Sequence, residues 1–174
     1  MSTSARDRQE CLSYRREENR TMKSLSEILA EKQILLPPIA GPFGAYVPVK
    51  RVGNLVYVSG QLPMREGKLI AVGQVPSRCS IETAADGARL CVINALGAVQ
   101  SVLGSVDQLV GVVRVGAFVS SDTNFTMQPK VANGASELLL ELFGESGKHV
   151  RAAVGVNTLP LDTAVEVEFV FEVK

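Results

Sequence analysis

Apolar residues recur at the spacing of an α-helix in two long segments of the chain. The first segment follows Ser80 and Glu82, which suit a helix N-cap and first turn, and stops before Gly104, which suits a C-cap. The second has Pro129 in its first turn and stops before Gly144. The apolar stripes comprise Ala84, Ala85, Ala88, Val92, Ala95, Leu96, Val99 and Leu103 in the first segment, and Val131, Ala135, Leu138, Leu139 and Leu142 in the second. These patterns predict two amphipathic helices.

Shorter periodic segments precede the first long helix. Leu25, Ile28 and Leu29 follow Ser24 at helical spacing and predict a short helix that ends before residues 37–38, both proline. Residues 46–52 and 55–59 then flank a Gly-Asn turn, and residues 69–72 follow a Glu-Gly turn. We expect these three strands to form a meander.

Three further strands lie among and after the long helices. The apolar run of residues 109–120, interrupted by Arg114, suits a central strand covered on both sides. In residues 165–173 the apolar positions alternate with Glu166, Glu168 and Glu172, so the glutamates share one face. The order of elements predicts an α+β fold in which two helices pack on one face of a mixed, mainly antiparallel sheet.

The strand of residues 150–156 is apolar apart from Arg151. Alternation places Arg151 on one face with Ala153 and Gly155, whose small size leaves open space beside the guanidinium. Because arginine stays charged at any relevant pH, a buried Arg151 needs an anionic partner. Either Glu166 or Glu168 supplies that anion or a bound ligand does, and the residues alone leave both alternatives open.

Composition argues against several classes of function but does not identify one. The net charge is zero, 46% of residues are hydrophobic and 21% are charged, so nothing favours nucleic acid or an anionic membrane as a partner. The chain has one histidine, His149, which we expect to be a surface residue, and three cysteines, so neither a zinc site nor a disulfide framework is expected. No apolar run is long enough to span a bilayer, and a cytoplasmic location is the default.

Charged residues crowd the first part of the chain. We expect residues 1–22 to be a flexible N-terminal extension, with Met22 as an alternative start, and residues 23–174 to form a single domain.

Two sequence signatures resemble those of the RidA/YjgF (Rid) family, which is also called the endoribonuclease L-PSP family. The first is the strand G-N-L-V-Y-V-S-G-Q-L-P of residues 53–63. The second starts at Arg151, continues to Leu159-Pro160 and ends in the V-E-V-E string of residues 165–168. The resemblance extends from about Gly41 to the C-terminus.

This resemblance implies a chorismate-mutase-like fold and a homotrimer with sites between subunits. It also implies hydrolysis of 2-imino or enamine acids to 2-oxo acids and ammonia, without a cofactor. By similarity, Arg151 binds the substrate carboxylate and Tyr46 closes the cleft. Gly60 lines the cleft, and Glu166 is associated with the attacking water. Asn133 falls near a family asparagine once an insertion is allowed.

The chain departs from the family pattern next to Arg151. The usual serine or threonine is Ala152 and the common cysteine is Ala153, so only backbone groups there can contact a substrate. An imine deaminase is therefore weighed against a non-catalytic protein that binds a 2-oxo acid or a similar carboxylate. Ribonuclease activity finds little support in a neutral chain without a basic patch.

Overall fold

The structure is a computed structural model and describes residues 23–38 and 45–174. The predicted N-terminal extension, residues 1–22, and residues 39–44 lie outside these ranges. The strands are β1 (Val49–Val52), β2 (Leu55–Gln61), β3 (Met64–Arg65), β4 (Lys68–Leu69), β5 (Leu109–Ser120), β6 (Val150–Val156) and β7 (Val165–Val173). The helices are α1 (Leu25–Glu31), α2 (Ile81–Leu103) and α3 (Gln128–Phe143), with short 3-10 turns at Val106–Gln108, Gly144–Gly147 and Pro160–Asp162.

The helices begin and end where the cap residues predicted. The Ser24 side chain accepts from the N–H of Glu27, whose carboxylate accepts from the N–H of Ser24 in return, so α1 starts with a capping box. The Ser80 side chain caps α2 in the same sense, and α2 ends at Gly104, whose φ of 82° is the left-handed conformation that glycine adopts readily. Pro129 lies in the first turn of α3, as predicted.

The main sheet has the strand order β1-β2-β7-β5-β6. Strand β5 pairs antiparallel with β7 and parallel with β6, which forms one edge of the sheet. The fold is therefore α+β with a mixed sheet, as predicted.

The two faces of this sheet differ in what covers them. On the helix face, Val115, Val167 and Phe169 are buried in a core that includes the apolar stripes of α2 and α3. The open face carries Arg114, Glu166 and Glu168, and within the described residues no helix packs on it. Strand β5 was expected to be covered on both faces. Within the described residues of one chain, only its helix face is covered.

The predicted meander is wrong. Strand β1 begins at Val49 and pairs with β2, but the other neighbour of β2 is β7. Instead β4 pairs with β3 in a separate two-stranded sheet, and Val72 makes one isolated bridge to Thr163. The C-terminal strand β7 thus lies beside β2, in the position that the expected meander gave to residues 69–72.

Helix hydropathy and possible metal-binding clusters concern only residues 23–38 and 45–174, which the structure describes. No helix there is long and apolar enough to cross a bilayer. No group of three or more histidine, cysteine or acidic side chains there is arranged to hold a metal ion. Cys91 is a buried core residue, and its thiol donates to the Gln61 carbonyl at 3.1 Å.

We predict that Gly134→Ala destabilises the protein although alanine favours helices. A Cβ at Gly134 would lie 1.9 Å from the backbone carbonyl oxygen of Ala85, where α3 crosses α2. We expect a loss of roughly 1–3 kcal/mol from overpacking, which outweighs the ~1 kcal/mol gain in helix propensity. Urea unfolding measures the change, with exposed Lys130→Ala on the same helix as the control. A midpoint for Gly134→Ala at or above that of the wild type would contradict this account of the helix crossing.

Candidate functional site

Arg151 extends from the edge strand β6 on the helix face. It is paired in register with Val115 of β5, which is in turn paired with Phe169 of β7, and both neighbours are buried in the core. Since successive residues of a strand point to opposite faces, Arg151, Ala153 and Gly155 lie on this face, as the alternation predicted.

The guanidinium of Arg151 is held by α3. Its Nη1 donates to Asn133 Oδ1 at 3.0 Å and to Ser136 Oγ at 2.9 Å. Asn133 and Ser136 are three residues apart on the helix and therefore lie on one face of it. Both acceptors are neutral, and among the described residues Arg151 makes no ion pair. Its charge is not neutralised by the part of the chain that the structure describes.

The atoms of Arg151 that lack a partner among the described residues form one edge of the guanidinium. Nη1 carries two N–H groups, and both are used. The Nε–H and one Nη2–H point in the same direction, in the fork geometry that matches the two oxygens of a carboxylate.

Glu166 lies on the open face, directly against Gly60 of β2. A Cβ at Gly60 would lie 1.8 Å from Glu166 Oε1, so only glycine leaves room for this carboxyl group in its present position. Glu168 lies over Gly116 in a similar way, where a Cβ would be 2.7 Å from Glu168 Oε1. Two glycines thus let two carboxyl groups rest on the backbone of the sheet.

Glu166 is half-buried, and its surroundings disfavour the charged form. Burial raises the pKa of the Glu166 carboxyl above its usual value, and the negative charge of Glu168 raises this pKa further. Glu168 itself forms an ion pair with Arg114, whose Nη1 lies 2.5 Å from Glu168 Oε1. A carboxyl group whose pKa lies closer to neutrality can accept and return a proton during a reaction.

A cleft of about 640 Å³ opens on the same face beside Glu168, with Tyr46, Lys50, Tyr57 and Arg114 among its lining residues. The segment that carries Tyr46 is tied to β2, because the Ser59 hydroxyl donates to the Val47 carbonyl at 2.8 Å. Tyr46 is exposed in the single chain.

The structure therefore places the predicted site residues in two groups. Arg151, Asn133 and Ala153 lie on the helix face at the edge of the sheet, whereas Tyr46, Gly60 and Glu166 lie on the open face. Because the sheet separates the two groups, neither Glu166 nor Glu168 neutralises Arg151 within one chain. Of the two alternatives left open for the anion that Arg151 meets, a glutamate of the same chain does not hold: Glu166 is half-buried, but beside Gly60.

Three details beside Arg151 differ from expectation. The space next to Gly155 is not open, because a Cβ there would lie 2.6 Å from the side chain of Gln128. Ala153 is partly buried and packs against the core. His149 is not a free surface residue, because its Nε2 lies 3.0 Å from Ser136 Oγ and its Nδ1 lies 2.6 Å from the Gly147 carbonyl oxygen.

Ser136 and Arg114 were not expected at the site from the sequence. For His149 the sequence did contain one signal. If the alternation of β6 is extended by one residue toward the N-terminus, residue 149 lies on the same face as Arg151.

Comparison with known proteins identifies the fold and the family. The family described as "YjgF/chorismate mutase-like, putative endoribonuclease" matches residues 26–173, nearly the whole described chain. The chain belongs to this family. Both signatures, in β2 and from β6 to β7, lie within the matched residues.

Similar proteins come from distant organisms. Protein TCP17 of Trypanosoma cruzi is 40% identical over 140 residues, which cover 80% of this chain and 88% of that protein. A protein of Dermatophagoides farinae named 2-iminobutanoate/2-iminopropanoate deaminase is 31% identical over 143 residues, which cover 80% and 95%. The crystal structure of Atu1372 from Agrobacterium tumefaciens superposes with a TM-score of 0.79 at 38% identity, covering 86% of this chain and 92% of that one.

We predict that Glu166→Gln stabilises the protein at neutral and alkaline pH but not in acid. Because the folded-state pKa of Glu166 is raised, the folded chain binds more protons than the unfolded chain between the two pKa values. The free energy of unfolding of the wild type therefore falls as pH rises through that window, and glutamine removes this loss. The gain from the substitution is absent below the unfolded pKa and complete above the folded one.

Thermal unfolding at about pH 4 and about pH 8 checks this, because an unperturbed glutamate titrates near the lower value. Glu172→Gln, at an exposed position of the same strand, is the matched control. An equal gain at both pH values would contradict the proposed cause.

Proposed function

We propose that the protein hydrolyses small 2-imino acids, or their enamine forms, to 2-oxo acids and ammonia. The observation that carries the proposal is the state of Arg151. Two neutral acceptors fix Nη1, and the fork of Nε and Nη2 has no partner among the described residues. That fork suits a substrate carboxylate. Family membership and the deaminase name of the Dermatophagoides protein support the same class of substrate.

The chemistry needs few groups. Arg151 holds the carboxylate and thereby orients the adjacent C=N carbon. Glu166 accepts one proton from a water molecule as the water oxygen adds to that carbon, and it passes this proton to the imine nitrogen. The second proton of the same water moves from the new hydroxyl to nitrogen, again through Glu166, as the C=O bond forms and the C–N bond breaks. One water is consumed, and one 2-oxo acid and one ammonia are formed. The raised pKa of Glu166 suits a group that must both accept and return a proton.

The site requires a second copy of the chain. Arg151 and Glu166 lie on opposite sides of one sheet, so a substrate that meets both must take them from two subunits. The open face also exposes apolar side chains, including Tyr57 and Val154, which suit a surface that packs against another copy. We propose a homotrimer, with Arg151 of one subunit facing the Tyr46, Gly60 and Glu166 group of its neighbour.

A second candidate is a binding protein for a 2-oxo acid or a similar carboxylate that does not turn it over. The observation that favours it is the pair Ala152 and Ala153, which place no hydroxyl or thiol beside Arg151. The same arginine fork would hold the ligand. Saturable binding of 2-oxobutanoate without faster imine loss would select this candidate.

We predict that Arg151→Ala abolishes imine hydrolysis. A threonine dehydratase generates the imine, and semicarbazide traps whatever survives, so an active protein lowers the trapped product. We expect Arg151→Ala to lose at least about 100-fold in kcat/KM, because truncation removes the whole charged contact. Arg151→Lys keeps the charge without the fork and should retain an intermediate rate. The deaminase proposal fails if the wild type does not lower trapping or if Arg151→Ala lowers it equally well.

We predict that two inactive variants restore each other when they share an assembly. Arg151→Ala chains keep Glu166, and Glu166→Gln chains keep Arg151, so a mixed assembly contains some sites with both wild-type groups. Random mixing in equal amounts should give about one quarter of wild-type activity over all trimers, and about one third in the isolated mixed trimers, because each of these has one complete site of three. Co-expression with two affinity tags isolates the mixed assemblies, and each variant alone is the control. Lack of recovery in mixed assemblies would rule out a shared site, and light scattering reports their mass.

A further inference from the structure

The network around Arg151 extends beyond the two acceptors on α3. Ser136 Oγ, which accepts from Arg151 Nη1, also lies 3.0 Å from His149 Nε2. His149 Nδ1 lies 2.6 Å from the Gly147 carbonyl oxygen. Four polar groups thus form one chain from the backbone to the guanidinium, and neither Ser136 nor His149 is among the residues that family similarity implies.

The directions of these hydrogen bonds follow from the atoms involved. A carbonyl oxygen can only accept, so His149 Nδ1 must carry the proton. In the neutral ring Nε2 is then the acceptor, and the Ser136 hydroxyl donates to it. The hydroxyl hydrogen of Ser136 points toward the ring, and its lone pairs therefore point toward Arg151. With the histidine neutral, each group in the chain has one compatible orientation.

The far end of the network is fixed by close packing of backbone. Gly147 is buried in the turn after α3, and a Cβ there would lie 2.4 Å from the Leu139 carbonyl oxygen. This contact holds the turn against the helix that also carries Ser136. The carbonyl of Gly147 and the hydroxyl of Ser136 are therefore held at opposite ends of the imidazole by α3 and the turn packed against it.

We propose that Ser136 and His149 are positioning residues that set the orientation of Arg151 and leave its Nε–Nη2 edge directed at the ligand carboxylate. This proposal rests on the proposed function for the identity of the ligand. Asn133 alone would anchor one N–H of Nη1 and leave the plane of the guanidinium free to turn. Ser136 occupies the second N–H, and His149 fixes which way the Ser136 lone pairs point.

The first test reads the network without any ligand. His149 is the only histidine of the chain, so its ring nitrogens are identified without assignment experiments. A long-range ¹H–¹⁵N spectrum at alkaline pH should show the neutral ring with its proton on Nδ1. A proton mainly on Nε2 would overturn the proposal, whether or not the protein is an enzyme.

The second test measures what the network does for binding. We expect Ser136→Ala and His149→Phe to weaken 2-oxobutanoate binding about three- to ten-fold, the size of one lost hydrogen bond. Ser136→Thr keeps the hydroxyl that meets Arg151, and His149→Gln keeps an amide oxygen that can accept from the Ser136 hydroxyl. Both variants should recover most of the affinity. Exposed Glu137→Ala, one residue along α3, is the matched control and should bind like the wild type.

Kinetics separate positioning from general damage. If the wild type is active, the alanine and phenylalanine variants should raise KM with kcat nearly unchanged, because the carboxylate contact is present in both ground and transition states. Equal affinity in all variants would overturn the proposal, as would lost affinity in the conservative pair. If the wild type neither binds 2-oxobutanoate nor lowers imine trapping, the proposed function fails, while the histidine spectrum still decides whether the network exists.

Discussion

The two-residue period of a β-strand is the constraint on which the rest of this structure depends. It places Val115, Val167 and Phe169 in the core beneath the helices and, by the same rule, turns Glu166 and Glu168 to the other side. Arg151 obeys that rule on the edge strand and therefore belongs to the helix face. The same alternation thus produces both the buried core and the separation of Arg151 from Glu166 and Glu168.

Glycine has a specific role on the open face. Gly60 and Gly116 lie beneath the carboxyl groups of Glu166 and Glu168, so these carboxyl groups lie against the backbone of the sheet. Close contact with the backbone removes water from Glu166, and Glu168, which forms an ion pair with Arg114, lies close enough to raise the pKa of Glu166 further. A half-buried carboxyl group and its charged neighbour are thus produced without a deep pocket.

The predictable parts of the fold are those determined by residues that are close together in the sequence. Caps at Ser24, Ser80 and Gly104 marked helix ends, and alternation identified β6 and β7, because each signal lies within a few residues of its effect. Strand order was not predictable in this way, since β2 pairs with a strand more than a hundred residues away. The roles of Ser136 and His149 were missed for a related reason: neither stands out alone, and packing of α3 against β6 brings them together.

The contact between Gly60 and Glu166 also determines how the acidity of this carboxyl group is controlled. No side chain separates Glu166 from β2, so the distance between two adjacent strands governs how much water reaches its oxygens. The bulge in the β2–β7 pairing lies between Val58 and Gln61, at this same place. Burial at this irregular point of the sheet raises the pKa of Glu166, so the proton affinity of this carboxyl group depends on backbone geometry as well as on its charged neighbour Glu168.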